Sequence, residues 1–236
     1  MSYRRKTPKR KSDYIGKLIL LLTCLFITTG CDKLSFASFD NKIVFVNGKT
    51  MDWWDVVTEL KKLNPEWNEK YELLKNNSGK VYGLDLSNKT VKDEPNDGPF
   101  MTNHKSITYD KAELYDISPI KGMYIEKLIL RSCPLEKISA LKEMKLKYLD
   151  ISDTRVTQID ILYGMPLEQL YLENTKVTDI TPLVVSPIKY LWLRNSLVSN
   201  LQPLAGKKLV SLDITNTPAA KKDIPKTFDV EYPIYK

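Results

Sequence analysis

From residue 104 onward, apolar residues recur every 21 positions. The clearest unit is Leu167-x-x-Leu170-x-Leu172-x-x-Thr175-x-Val177-x-x-Ile180-x-x-Leu183. The same frame holds one step back at Leu146, Leu149, Ile151, Thr154, Val156, Ile159 and Leu162. A second step back gives Ile125, Leu128, Leu130, Cys133, Leu135, Ile138 and Leu141. One step forward gives Ile188, Leu191, Leu193, Ser196, Val198, Leu201 and Leu204. A further step gives Leu209, Leu212, Ile214 and Thr217. A degenerate unit at 104 carries Ile107, Tyr109, Leu114, Ile117 and Ile120. Another begins at Val81 with Leu84, Leu86 and Val91, out of phase across the Pro/Gly/Asp-rich stretch Lys92–Pro99.

The L-x-L core of each unit alternates, which is the periodicity of a strand. One such strand cannot bury its apolar edge alone. Stacking seven at ~4.8 Å makes a parallel sheet over a continuous core. Leu170 and Leu172 are therefore expected inside and Tyr171 outside. The Thr, Ser or Cys that follows ends the strand, where a short polar side chain can hydrogen-bond the turning backbone. Asp or Thr before Ile-x-Pro-Leu suits the N-cap of a short helical turn.

These units resemble leucine-rich repeats. Their tails, Asp116-Ile117-Ser118-Pro119-Ile120 and Asp179-Ile180-Thr181-Pro182-Leu183, are similar to the internalin-type bacterial subclass. The resemblance implies an α/β repeat solenoid, a horseshoe with a short parallel sheet on its concave face and short helical turns on its convex side. It covers residues 81–217. The chain departs from that subclass in its 21-residue spacing, where 22 is commoner, and in Thr, Ser or Cys where Asn is usual.

A bare first coil needs a cover. Lys42–Thr50 alternates around Asn47-Gly48, a hairpin signal. Asp52–Leu63 reads as a helix with Trp53, Val56, Val57 and Leu60 on one face and Pro65 beyond its end. Two short runs flank Asn77-Ser78-Gly79 as a second hairpin. Residues 42–80 are thus expected to form a small α+β N-terminal cap, and 218–236 to close the other end.

Residues 1–17 are basic and polar, Leu18–Ile27 form an apolar run of ten, and Thr28-Thr29-Gly30-Cys31 follows. That is the layout of a signal peptide over residues 1–30. Ten apolar residues are too few to cross a bilayer core, which needs about 20 in a helix. Thr29-Gly30-Cys31 resembles the lipobox of bacterial lipoproteins, although Thr28 stands where an aliphatic is usual. The resemblance implies lipidation of Cys31, a tether over 31–41, and anchorage on the exported side of the cytoplasmic membrane or in the outer membrane.

Composition adds mainly exclusions. The net charge of +7 is a property of the leader: residues 1–30 hold seven of the 36 Lys/Arg and one of the 29 Asp/Glu, leaving 29 basic against 28 acidic residues. Nucleic-acid binding needs a basic stripe on the folded part, so no nucleic-acid partner is expected. One His and three Cys leave little for a metal site. His104 reads as a packed or cap-edge residue, and Cys133 as a small buried one. Acid, base and nucleophile candidates do not converge, so neither enzyme nor cofactor is expected.

The slots between the leucines face out of the concave sheet. They bring Tyr148, Tyr171, Tyr190 and Trp192 together on three successive strands, with Arg131 and Arg194 on either side. Tyr, Trp and Arg dominate binding hot spots. The expected activity is non-catalytic binding of a protein, peptide or glycan through this face. The alternative is a structural component of the envelope in which the aromatics simply favour strands.

Overall fold

The computed structural model describes residues 42–44, 50–93, 105–221 and 229–234. All lie in the second of the two compact units into which the chain divides, Asn41–Lys236.

The core is one sheet. Parallel strands β4 (Val81–Asp85), β7 (Lys127–Ile129), β8 (Tyr148–Asp150), β9 (Gln169–Tyr171), β10 (Tyr190–Trp192), β11 (Lys208–Asp213) and β12 (Asp229–Ile234) stack in that order. The register is strict: Leu84, Leu128, Leu149, Leu170, Leu191 and Leu212 face one another across the ladder. These leucines, and Leu86, Leu130, Ile151, Leu172, Leu193 and Ile214 two places on, are fully buried.

After each strand from β7 to β11 the backbone turns through a left-handed residue: Ser132, Asp153, Asn174, Asn195 and Asn216 all have φ between 55° and 60°. Asn and Asp tolerate that conformation best among residues with a Cβ. Three side-chain amides then run down this corner as a ladder, Asn174 donating to Asp153 at 2.6 Å, Asn195 to Asn174 at 2.6 Å and Asn216 to Asn195 at 3.0 Å. The next residue closes the corner. Thr154, Thr175 and Thr217 each donate through Oγ1 to the carbonyl three residues back, at 2.7 Å. Cys133 fills the same slot, buried, with its Sγ 3.8 Å from the Leu86 carbonyl.

The convex side is built from single 3-10 turns: Ser118–Ile120, Ser139–Leu141, Asp160–Leu162, Thr181–Leu183 and Gln202–Leu204. Where Asp or Asn stands two residues ahead, its carboxyl or amide oxygen accepts from the first N–H of the turn, as Asp116, Asp179 and Asn200 do at 2.7–2.9 Å. Lys137 and Gln158 occupy that place in the other coils, and their turns form without such a bond.

One expectation fails. The frame through Ile107 and Tyr109 is not a coil of the solenoid. Lys105–Asp110 (β6) pairs antiparallel with Asn88–Asp93 (β5) as a separate hairpin. β4 pairs directly with β7. Ile107 is 52% exposed, while Leu114, Ile117 and Ile120 are buried. The segments 81–88 and 112–125 are therefore the two halves of a single first coil, and the hairpin is inserted between them. A two-residue alternation is the same in any strand and does not say which sheet the strand joins.

The N-terminal end is closed by β1 (Lys42–Val44) paired with β2 (Thr50–Asp52), by α1 (Trp53–Leu63), and by β3 (Glu72–Lys75), which pairs antiparallel with β4. The Asp52 side chain caps α1 by accepting from Trp54 N–H at 3.0 Å. Trp53, Val56, Val57 and Leu60 form its buried face, together with Trp67 beyond its end. Gly83 is required where β3, β4 and β7 meet: a Cβ there would lie 2.9 Å from both Lys127 Cβ and its carbonyl oxygen. β12 forms the opposite edge and carries Pro233, which has no N–H to offer a further strand.

Candidate functional site

The parallel register places like slots of neighbouring coils about 4.8 Å apart, close to the distance at which aromatic rings stack. Tyr171 and Trp192 occupy one slot on β9 and β10. Their rings stack at 4.2 Å between centroids, 3° from parallel. Tyr190, two residues before Trp192, lies parallel to it at 5.8 Å. Tyr148 sits diagonally across from Tyr171 at 5.1 Å, tilted by 38°. The Lys127 ammonium covers Tyr148 at 4.1 Å from the ring centre. The four aromatics singled out in the sequence thus form one continuous stack across β8, β9 and β10.

Stacking has a consequence for exposure. Tyr148, Tyr171, Tyr190 and Trp192 are half-buried, not open to solvent, because the rings cover one another. Burial pushes the Tyr148 phenol up, with further contributions from Tyr171 and Asp150. Burial also raises the Tyr171 phenol. Both are uncharged at neutral pH. The stack therefore offers ring edges, hydroxyls and half-covered apolar area.

The two arginines lie beside the stack, but each is already engaged. Arg131 is 3.0 Å from Asp153, 3.1 Å from Glu173 and 3.7 Å from Asp150. Arg194 is 3.0 Å from Asp213 and 3.9 Å from Glu173. Glu173 bridges the two guanidinium groups across the face. Asp85, Asp150 and Asp213 share the slot of Tyr171 and Trp192 and are nearly inaccessible. Each turns one oxygen onto the backbone N–H two residues on, at 2.9 Å. Burial raises the Asp150 carboxyl against the pull of Ser152 and Arg131. Burial lowers the Arg131 guanidinium, and the surrounding carboxylates, Asp150 first, more than offset this.

The inserted hairpin reaches this face. The Tyr109 ring lies 5.2 Å from the Arg131 guanidinium carbon. Lys89 bonds Glu72 at 3.0 Å and Asp85 at 3.3 Å. The hairpin thus stands as a wall at the β4 end, with Ile107 exposed on it. Sequence reading missed this wall. It also missed Lys127 over Tyr148, the Glu173 bridge and the Asn ladder. The Asn ladder had a signal, since Asp153, Asn174, Asn195 and Asn216 recur at 21-residue spacing.

Cys133 is buried, and burial pushes its thiol far up, so it carries no nucleophilic thiolate. His104 and Cys31 lie outside the described residues. Among the described residues no His, Cys, Asp and Glu cluster could hold a metal ion, and no helix is long and apolar enough to cross a membrane. An open hollow of about 1010 Å³ on the convex side is lined by long side chains, among them Glu136, Arg155, Asp160 and Lys176. No buried polar group converges on it.

No family model matches the chain, and no curated protein is significantly similar to it. Among solved structures it is similar to internalin C2 from Listeria monocytogenes str. 4b F2365, at 23% sequence identity and a TM-score of 0.42. The match covers 50% of this chain and 65% of that one, under two thirds of its length. The parallel register and the buried leucine ladder establish the architecture by themselves: the chain folds as a leucine-rich-repeat solenoid of 21-residue coils.

Proposed function

We propose that this chain is an exported, lipid-anchored binding protein that takes a protein or peptide partner on its concave face. The observation that carries the reading is the aromatic stack on β8–β10. It concentrates Tyr and Trp at the centre of the face, held rigid by mutual contact, which is how hot-spot residues are usually presented. A sugar ring binds by lying on an exposed aromatic face. Here the faces are taken up by one another and by Lys127, so edges and hydroxyls remain. That favours a polypeptide over a glycan. Thr29-Gly30-Cys31 supports the anchor, since two or three acyl chains hold a protein far better than one.

The test is a binding measurement with purified components. A partner is retrieved from the native envelope, identified, and titrated against wild type and Trp192→Ala. Loss of a central aromatic anchor typically weakens binding by about 2 kcal/mol or more, roughly thirtyfold. Unchanged affinity of a folded Trp192→Ala protein would overturn the reading. Intact-mass analysis tests the anchor separately, an unmodified Cys31 being the adverse result.

A structural role is the second reading. The mutual stacking and the Arg131–Glu173–Arg194 bridge favour it, because both would hold neighbouring coils together with no ligand present.

A further inference from the structure

The two rims of the solenoid differ in chemistry. The rim where strands end carries the Asp153–Asn216 amide ladder. The rim where strands begin carries exposed apolar side chains flanked by lysines. Tyr163 and Val184 occupy the same slot in adjacent coils, and Val185 follows. They are 65%, 48% and 56% exposed. One and two coils earlier that slot holds Lys142 and Lys121. Lys142, Lys145 and Tyr163 line one shallow hollow of about 360 Å³, which also touches Glu143 and Asp160.

At the valines the backbone departs from the other coils. Gly122, Gly164 and Gly206 close the corresponding turns with φ near +74°, as does Glu143 at 68°. A β-branched residue does not adopt that conformation. Val184 instead takes a right-handed helical conformation, φ −55° and ψ −37°. Lys207 from the next coil braces the turn, donating to the Val184 and Ser186 carbonyls at 2.8 and 2.7 Å.

The charges complete the picture. Glu126 and Glu168 on this rim are paired with Lys147 and Lys189 at 3.1 and 2.7 Å. Lys121, Lys142 and Lys145 have no ion-pair partner among the described residues, and neither have Glu143 and Asp160, the two acids that line the hollow, so the three lysines outnumber the acids by one. Tyrosine and small apolar side chains ringed by unpaired lysines on flexible stems suit the interface of an anionic bilayer. There the Tyr ring and the Val methyl groups sit at headgroup depth and each Lys is attracted to the negative surface. A shaped protein partner would instead call for buried polar groups converging on the patch, and the polar side chains that line the hollow, Lys142, Glu143, Lys145 and Asp160, are all exposed.

We infer that the strand-start rim, centred on Tyr163, Val184 and Val185, docks on an anionic lipid surface. This surface is separate from the concave face and does not require it to bind anything.

The test is amine acetylation read by mass spectrometry on the full chain. The chain is mixed with phosphatidylcholine vesicles, with or without phosphatidylglycerol. The apolar leader can hold the chain on either vesicle, so the readout is the site of protection and not binding itself. Acetylation of Lys142 and Lys145 should slow by about threefold or more on the anionic vesicles alone and recover at high salt, as a screened surface contact requires. Lys111, exposed beside the opposite corner where Ala112 N–H donates to the Ser132 carbonyl, should label alike on both. The triple variant Tyr163→Ser, Val184→Ser, Val185→Ser should lose the protection. Equal labelling of Lys142 and Lys145 on both vesicles by the wild-type protein would overturn the inference. So would protection that appears without vesicles and grows with protein concentration, which would assign the rim to a second copy of the chain. Neither outcome bears on Trp192 or on lipidation of Cys31.

Discussion

Asn64 and Asp116, 52 residues apart, are joined by two reciprocal hydrogen bonds: the Asn64 amide donates to the Asp116 carbonyl at 2.7 Å, and the Asp116 N–H donates to Asn64 Oδ1 at 2.8 Å. The same side chain donates to Leu60 at 2.8 Å and accepts from the Tyr115 N–H. A single buried amide thus stitches the end of α1 to the convex loop of the first coil. Asn64→Ala leaves two partly buried N–H groups, those of Tyr115 and Asp116, without acceptors. The expected loss is about 1–3 kcal/mol in a urea titration, since an unsatisfied group costs about 1–3 kcal/mol when fully buried and less where water can reach it. Asn64→Asp keeps both acceptors but turns a charged oxygen on two carbonyls, and should be no milder.

Core and concave positions should differ less than outward and inward slots suggest. Leu170→Ala opens a cavity in the leucine ladder and should destabilise by about 2–5 kcal/mol. Tyr171→Ala removes two aromatic contacts, worth about 0.5–1.5 kcal/mol each beyond area. It should therefore lower stability by about 1–3 kcal/mol, where a freely exposed side chain would cost almost nothing. A Tyr171→Ala protein as stable as wild type would show that the stack does not form in solution.

Asp150 gives a pH dependence of defined sign. Burial holds its folded-state carboxyl above the ordinary value of 3.8. The folded protein therefore binds that proton more tightly than the unfolded chain. Its contribution to stability falls as pH rises through the raised value and improves as pH drops back toward 3.8. Relative to Asp150→Asn, the wild type should gain stability on acidification from neutrality to the edge of that window. Chemical unfolding of both proteins across the range measures it, and a wild type that loses ground to the variant would reverse the assignment.

Gly164 and Val185 are in equivalent places with different backbones. Gly164→Val forces a β-branched residue toward φ +73°, at about 1–2 kcal/mol. Nothing lies within 4 Å of a Cβ there, so the loss is strain and not collision. Val185→Gly should be close to neutral. Thermal midpoints of the two variants separate these outcomes.

Much of the fold was legible in the residues. The leucine frame, the Thr corner and the Trp53–Leu60 face each depend on a local period, and each appears where the period puts it. The hairpin at 88–110 was not legible, because Ile107 and Tyr109 continue the frame in a strand that joins another partner. At the site, slots predict which rings are neighbours. They do not predict that ring faces meet at 4.2 Å, which depends on rotamers. Nor do they show that Arg131 and Arg194 are occupied, since their carboxylates come from three other strands and corners.

The inserted hairpin also changes how the solenoid is wound. Leu84 meets Leu128 across 44 residues, whereas Leu128 meets Leu149 across 21. Doubling a closed loop adds only about 0.6 kcal/mol of chain entropy. The first coil therefore tolerates its insertion at small thermodynamic cost, but its rung closes by the longest search in the stack. Assembly should begin among the regular coils and reach β4 last. The position between Asn88 and Lys111 is thus the place where one loop could be exchanged for another without disturbing the winding behind it.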